Sequence, residues 1–123
     1  MNISSVTNVI SGGMRKVLPL KYCGAVIVAA GTASRMGGID KVMAELDGEP
    51  MILRTVRAFA TLDAIKEIVI VTREDLVMPI MQLTAEIEKV TAVVVGGASR
   101  QESVAMGLGA LTKKVQLAAI QDG

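Results

Sequence analysis

Arg35 stands between two glycine-rich turns in "AAGTASRMGG" (29–38), and Lys41 follows shortly after. A turn that only reverses the chain has no need of an arginine. A turn that lies against a phosphate chain needs both features. Glycines let backbone N–H groups form an anion-binding concavity, and a guanidinium fork with a compact ammonium neutralises the oxygens. Two common phosphate loops do not fit. The Walker pattern G-x-x-x-x-G-K-[ST] fails because five residues separate Gly31 from Gly37 and no Lys-Ser/Thr follows. The dinucleotide fingerprint G-x-G-x-x-G meets Ala33 and Met36 where it requires glycine. What remains is A-A-G-x-x-x-R-M-G, then Lys41.

A second constellation is "GGASRQESV" (96–104). Ser99 and Glu102 have capping-box spacing at the start of a helix, which leaves Arg100 to water. Capping does not account for the paired glycines Gly96 and Gly97, nor for Ser103, read as pointing outward. A structural turn and a ligand loop both remain open here. The third candidate is Asp122, at the tip of the last apolar run. An acid there must be solvated, capped or bound to a cation. Mg²⁺ accepts one carboxylate together with phosphate oxygens and waters, so a single Asp beside a phosphate chain suffices.

Composition narrows the chemistry further. Lys plus Arg number 13 and Asp plus Glu 12 in 123 residues, without the basic excess of a duplex-binding protein. Tyr22 and Phe59 are the two aromatics, too few for a stacking platform on single strands. No partnership with nucleic acid is expected. With no histidine, His-based general base catalysis is excluded. Cys23 is the lone cysteine, which forbids an internal disulfide and suits a reducing cytoplasm. No apolar run reaches the roughly 18 residues of a membrane span, and "MNISSVTNVISGG" lacks the order of a secretory signal.

Regular elements must hold these residues in place. Residues 1–22 break any periodicity and read as an N-terminal extension, partly disordered. From residue 23 to 123 the pattern becomes regular, as in a folded domain. "GAVIVAA", "EIVIVT" (67–72), "VTAVVV" (90–95) and "VQLAAI" (115–120) are continuous apolar runs of strand length, as expected of a parallel sheet covered on both faces. Helical spacing appears between them. Ile52, Val56 and Phe59 follow Pro50, and Leu76, Ile80, Leu83 and Ile87 form a second stripe, with Pro79 expected in or near the first turn. In "SRQESVAMGLGAL", Val104, Leu108 and Leu111 are expected on one buried face. Gly107 and Gly109 in that helix hint at a close approach, since each costs up to about 1 kcal/mol relative to Ala. The β-α-β-α-β-α-β order predicts an α/β, doubly wound, mostly parallel sheet, with ligands beyond the carboxyl ends of the strands. The last strand is expected to be an open edge, because the chain stops at "IQDG" as though the domain were incomplete at its C-terminus.

"AVIVAAGTASRMGGIDK", "LDGEPMILRTVRAF", "GGASRQESVAMGL" and "IQDG" together resemble the N-terminal part of the 2-C-methyl-D-erythritol 4-phosphate cytidylyltransferases, over roughly residues 24–123. That family belongs to the glycosyltransferase-A-like nucleotidyltransferases of the nonmevalonate isoprenoid pathway. The resemblance implies transfer of CMP from CTP to a sugar-alcohol phosphate with release of pyrophosphate, Mg²⁺ as cofactor, a cytoplasmic location and a homodimer at full length. It implies that Ala29, Ala30 and Gly31 meet the nucleotide, and that Arg35 and Lys41 serve the α-phosphate and the leaving pyrophosphate. Gly97, Ala98 and Ser103 match contacts to cytosine and ribose, Asp122 the Mg²⁺ ligand, and Gly123 a small residue of the nucleotide pocket. Ala33, Asp40, Val42 and Ala98 depart from the usual family residues. A ribitol-phosphate cytidylyltransferase would share these motifs, and a nucleotide-binding fragment without turnover is the alternative from another class. The resemblance also leaves the acceptor side to a second half, so the 123-residue chain alone is expected to be inactive.

Overall fold

The computed structural model describes residues 22–30, 35–36, 39–40, 45–46 and 48–122. The extension read over residues 1–22 therefore lies outside the described residues except for Tyr22.

β1 (Cys23–Ala29) and β6 (Ile65–Thr72) form the centre of a four-stranded parallel sheet. β7 (Val90–Val95) flanks β6, and β8 (Leu117–Asp122) flanks β1, in the order β7-β6-β1-β8. Central position explains their composition. Every residue of β1 is buried, and β6 is buried throughout except Lys66. Alternate side chains then feed two separate cores. Ala25, Ile27, Ala29, Ile68 and Ile70 face one layer, while Val26, Val28, Val69 and Val71 face the other. The outer strands β7 and β8 are covered less completely, and Val95 is exposed.

α1 (Met51–Ala60) and α2 (Glu74–Leu83) cover the first face. Pro50 is the N-cap of α1, and Ile52, Val56 and Phe59 are all buried, as their spacing requires. Arg57 pairs with Glu49 at 2.7 Å on the exposed side. α2 departs from expectation at its C-terminal end. It ends at Leu83, so Ile87 packs on the core from beyond the helix. Pro79 falls in the second turn, where its missing N–H forgoes one bond to the preceding turn.

α3 (Arg100–Ala110) covers the opposite face, beside Val26, Val71 and Val94. Its buried stripe differs from the expected one. Leu108 is exposed, whereas Ser103 and Gly107 are buried. The reason is proximity. A Cβ on Gly107 would lie 2.3 Å from Val26 Cγ1 and 2.9 Å from Val71 Cγ2, so the helix rests directly on the sheet. A Cβ on Gly109 would meet no neighbouring atom within 4 Å, so this glycine serves no packing purpose.

Short antiparallel pairs precede α1: β2 (Arg35–Met36) with β3 (Ile39–Asp40), and β4 (Glu45–Leu46) with β5 (Glu49–Pro50). Two-residue strands carry too little pattern to be read from sequence. Gly48, at φ +85°, takes the left-handed conformation between β4 and β5 that a side chain would resist.

Candidate functional site

The chain winds outward from β1 through β6 to β7, then returns by way of α3 to β8 on the other side of β1. The order reverses between β1 and β8, and in open α/β sheets that point marks the ligand crevice, beyond the carboxyl ends. The described candidates from three parts of the sequence converge on this rim.

Ala29 ends β1, and its carbonyl accepts the buried Thr72 hydroxyl at 3.1 Å. Ala30 follows. Gly96, after β7, donates its N–H to the Thr72 carbonyl at 2.9 Å. A Cβ on Gly96 would stand 2.7 Å from Ala30 Cβ and 2.6 Å from Ser103 Oγ. The "GGASR" loop is thus laid across the ends of β6 and β1, and only glycine fits at that contact.

Three side chains of α3 and its cap fix the loop. Gly97 N–H donates to Ser103 Oγ at 3.1 Å, and Ala98 N–H donates to Glu102 Oε2 at 2.9 Å. Glu102 N–H in turn donates to Ser99 Oγ at 3.1 Å, one half of a capping box, while the Glu102 carboxylate reaches one residue further back, to Ala98. Ser103 does not point outward as expected. It is buried beneath the loop, where its hydroxyl oxygen accepts from the half-buried Gly97 N–H. The Gly97 and Ala98 N–H groups are therefore both occupied within the loop.

Asp122 is the final residue of β8, at the strand tip where the sequence places it. Its carboxylate receives Arg100 side-on, Nε to Oδ1 at 2.9 Å and Nη2 to Oδ2 at 3.3 Å. Arg100 was expected in water. The missed signal was its position as the first residue of α3, where the positive end of the helix dipole disfavours a cation unless an anion compensates.

Arg35 lies in β2 with backbone paired to Asp40. Gly31, Lys41 and Gly123 lie outside the described residues. The site as described is therefore a rim of Ala29, Ala30, Gly96, Gly97, Ala98, Arg100 and Asp122. Among the described residues no group of three or more His, Cys, Asp or Glu side chains could enclose a metal ion. An exposed lone carboxylate still fits Mg²⁺, which draws its remaining ligands from phosphate and water. No helix among the described residues is long and apolar enough to cross a membrane.

The sequence profile of the 2-C-methyl-D-erythritol 4-phosphate cytidylyltransferases (IspD) matches residues 23–123. The chain belongs to this family. It is 43% identical over 90 residues to the enzyme of that name from Dehalococcoides mccartyi, covering 72% of this chain and 40% of the relative. It is 40% identical over 98 residues to that of Symbiobacterium thermophilum, covering 79% and 41%. Among solved structures, it superposes on the crystal structure of 4-diphosphocytidyl-2C-methyl-D-erythritol synthase from Anaerococcus prevotii with TM-score 0.69 at 28% identity. That match covers 83% of this chain and 43% of the other. The chain thus spans about two-fifths of the length of these relatives.

Proposed function

We propose that this chain supplies the nucleotide half of a cytidylyltransferase that moves CMP from CTP to 2-C-methyl-D-erythritol 4-phosphate. One observation carries the reading: a glycine loop, braced by Ser103 and Glu102, meets the end of β1 beside a rim carboxylate at the sheet's switch point. That arrangement offers carbonyls to a base edge and an acid to a hydrated cation. Family membership supports CTP as the nucleotide.

In this reading the glycine loop and Ser103 set the base and ribose, with Gly123 lining the same pocket. The Ala29–Gly31 backbone lies along the phosphates. Arg35 and Lys41 neutralise charge as the acceptor's phosphate oxygen bonds to the α-phosphorus and the bond to the pyrophosphate oxygen breaks. An anionic phosphate monoester needs no strong base, in keeping with a chain that has no histidine. Asp122 would hold Mg²⁺, which supplies electrostatic stabilisation of the phosphates. Cytoplasmic location and a homodimer at full length belong to the same reading, and the lone buried Cys23 is consistent with the former.

Calorimetry with CTP, ATP and GTP in the presence of Mg²⁺ tests the assignment. Tighter binding of CTP is expected, and equal affinity for all three would refute the cytidine specificity. Where turnover is measured, Arg35→Ala should lower kcat by on the order of 10²-fold and leave the KM for CTP nearly unchanged. A rise in KM alone would reduce Arg35 to a ground-state contact. Pyrophosphate release by a sample of confirmed 123-residue mass should be absent with either 2-C-methyl-D-erythritol 4-phosphate or ribitol 5-phosphate. Turnover would show that the acceptor site also lies in this chain, and its preference would name the acceptor.

A further inference from the structure

We propose that Arg100 is a latch on Asp122: without nucleotide its guanidinium occupies the carboxylate a divalent cation must coordinate, and a triphosphate releases it. The proposal rests on the reading of Asp122 as the ligand of that cation.

The geometry supplies the first half. Both carboxylate oxygens are engaged by one fork, at 2.9 and 3.3 Å. A cation brought to the same oxygens competes for their lone pairs and stands a few ångströms from a like charge. Arg100 must therefore leave, or the ion binds weakly. The second half is that the latch is built to open. The Arg100 and Asp122 side chains are 58% and 66% exposed, so water screens their attraction and the net worth of the pair is small. Arg100 also begins α3, where the helix dipole opposes its charge. A structural ion pair gains from burial, and this one is exposed on both sides.

A triphosphate on the rim changes the competition. Its oxygens match the planar fork as well as a carboxylate does, and it carries more charge. Once Arg100 turns to phosphate, Asp122 is free for the ion that the same phosphates help to coordinate. Nucleotide and cation should therefore bind with positive coupling, each raising the other's affinity by the same factor. Arg100 is a positioning residue, acting on the cation through Asp122.

Mn²⁺ titration followed by electron paramagnetic resonance reads the latch without turnover. The 123-residue chain is compared with Arg100→Gln, Arg100→Lys, Asp122→Asn and the double variant Arg100→Gln/Asp122→Asn, with far-UV circular dichroism checking each fold. Without nucleotide, R100Q should bind Mn²⁺ about three- to fivefold more tightly than wild type, matching the release of one exposed ion pair. R100K reaches one oxygen at a time and should fall between them. Addition of CTP should strengthen Mn²⁺ binding less in R100Q than in wild type. An R100Q affinity at or below the wild-type value overturns the latch. R100K equal to wild type overturns the fork in favour of long-range charge. If the double variant binds as tightly as R100Q, Asp122 is not the ligand, and the metal reading itself fails.

Discussion

Glu67 and Asp122 are carboxylates on strands of one sheet, near its opposite ends, and they are held in opposite ways. Glu67 is 2% exposed near the start of β6. Its oxygens accept from the Thr112 backbone N–H at 3.0 Å and from the Thr112 hydroxyl, with the Tyr22 hydroxyl bonding it as well. Burial alone would raise its pKa, but these bonds and the nearby charge of Lys114 outweigh it and bring the carboxyl below its ordinary value. In return, burial and the Glu67 charge raise the pKa of Tyr22. Asp122 is exposed and met by one side chain that can swing away. A carboxylate saturated by short, fixed donors fastens the fold. One held by a single exposed arginine stays available for exchange. α3 joins the two regions, with Arg100 at its first residue and Thr112 just beyond its last.

The largest expected effect follows from the difference in burial. Glu67→Ala should lower stability in urea by about 3 kcal/mol, through loss of charge-assisted bonds and a buried side chain. Asp122→Ala should cost less than about 1 kcal/mol, since exposed ion pairs contribute little. Similar losses for both would erase the contrast. Next is the seat of α3. Gly107→Ala should destabilise by about 1–3 kcal/mol despite a better helix propensity, because the methyl group has no room against Val26. Gly109→Ala should stabilise by up to about 1 kcal/mol, having open space and the same propensity gain. A gain in both would mean that α3 can lift from the sheet without penalty.

A smaller effect concerns pH. Because folding lowers the Glu67 pKa, its contribution is fully present above the unfolded value, about 4.5, and is lost as pH falls through the folded value. Wild type should therefore lose stability below about pH 4.5 more steeply than Glu67→Gln, as read from urea midpoints. Equal slopes would assign acid sensitivity to other carboxyls. Smallest is Ser103→Ala, expected to cost about 1 kcal/mol by leaving the Gly97 N–H without its acceptor. CTP binding should weaken with it. Unchanged CTP affinity would mean that the loop holds its shape without Ser103.

Much of this architecture is written in local pattern. Continuous apolar runs identify β1 and β6 because both faces of a central strand are covered, and Ile52, Val56 and Phe59 identify α1 because one stripe faces a core. The errors occur where tertiary contact overrides pattern. Leu108 looks like a core residue, but the close approach of Gly107 to Val26 rotates it outward. Ser103 looks like a solvent or ligand residue until the Gly97 N–H is seen to need an acceptor. Of the candidate site, Ala30, Gly96 and Asp122 are legible as strand-end residues. The pairing of Arg100 with Asp122 is not, because the two are joined only when α3 crosses back over the sheet.

The central claim is that nucleotide and cation meet at the β1–β8 switch point while the Glu67 end is structural. Amide chemical-shift mapping during titration with CTP and Mg²⁺ tests it most directly. Saturable shifts should appear at Gly96, Gly97, Ala98, Arg100 and Asp122, with Glu67 and Thr112 unmoved. Shifts centred on Glu67 and Thr112, or no saturable change at Gly97 and Asp122, would contradict it.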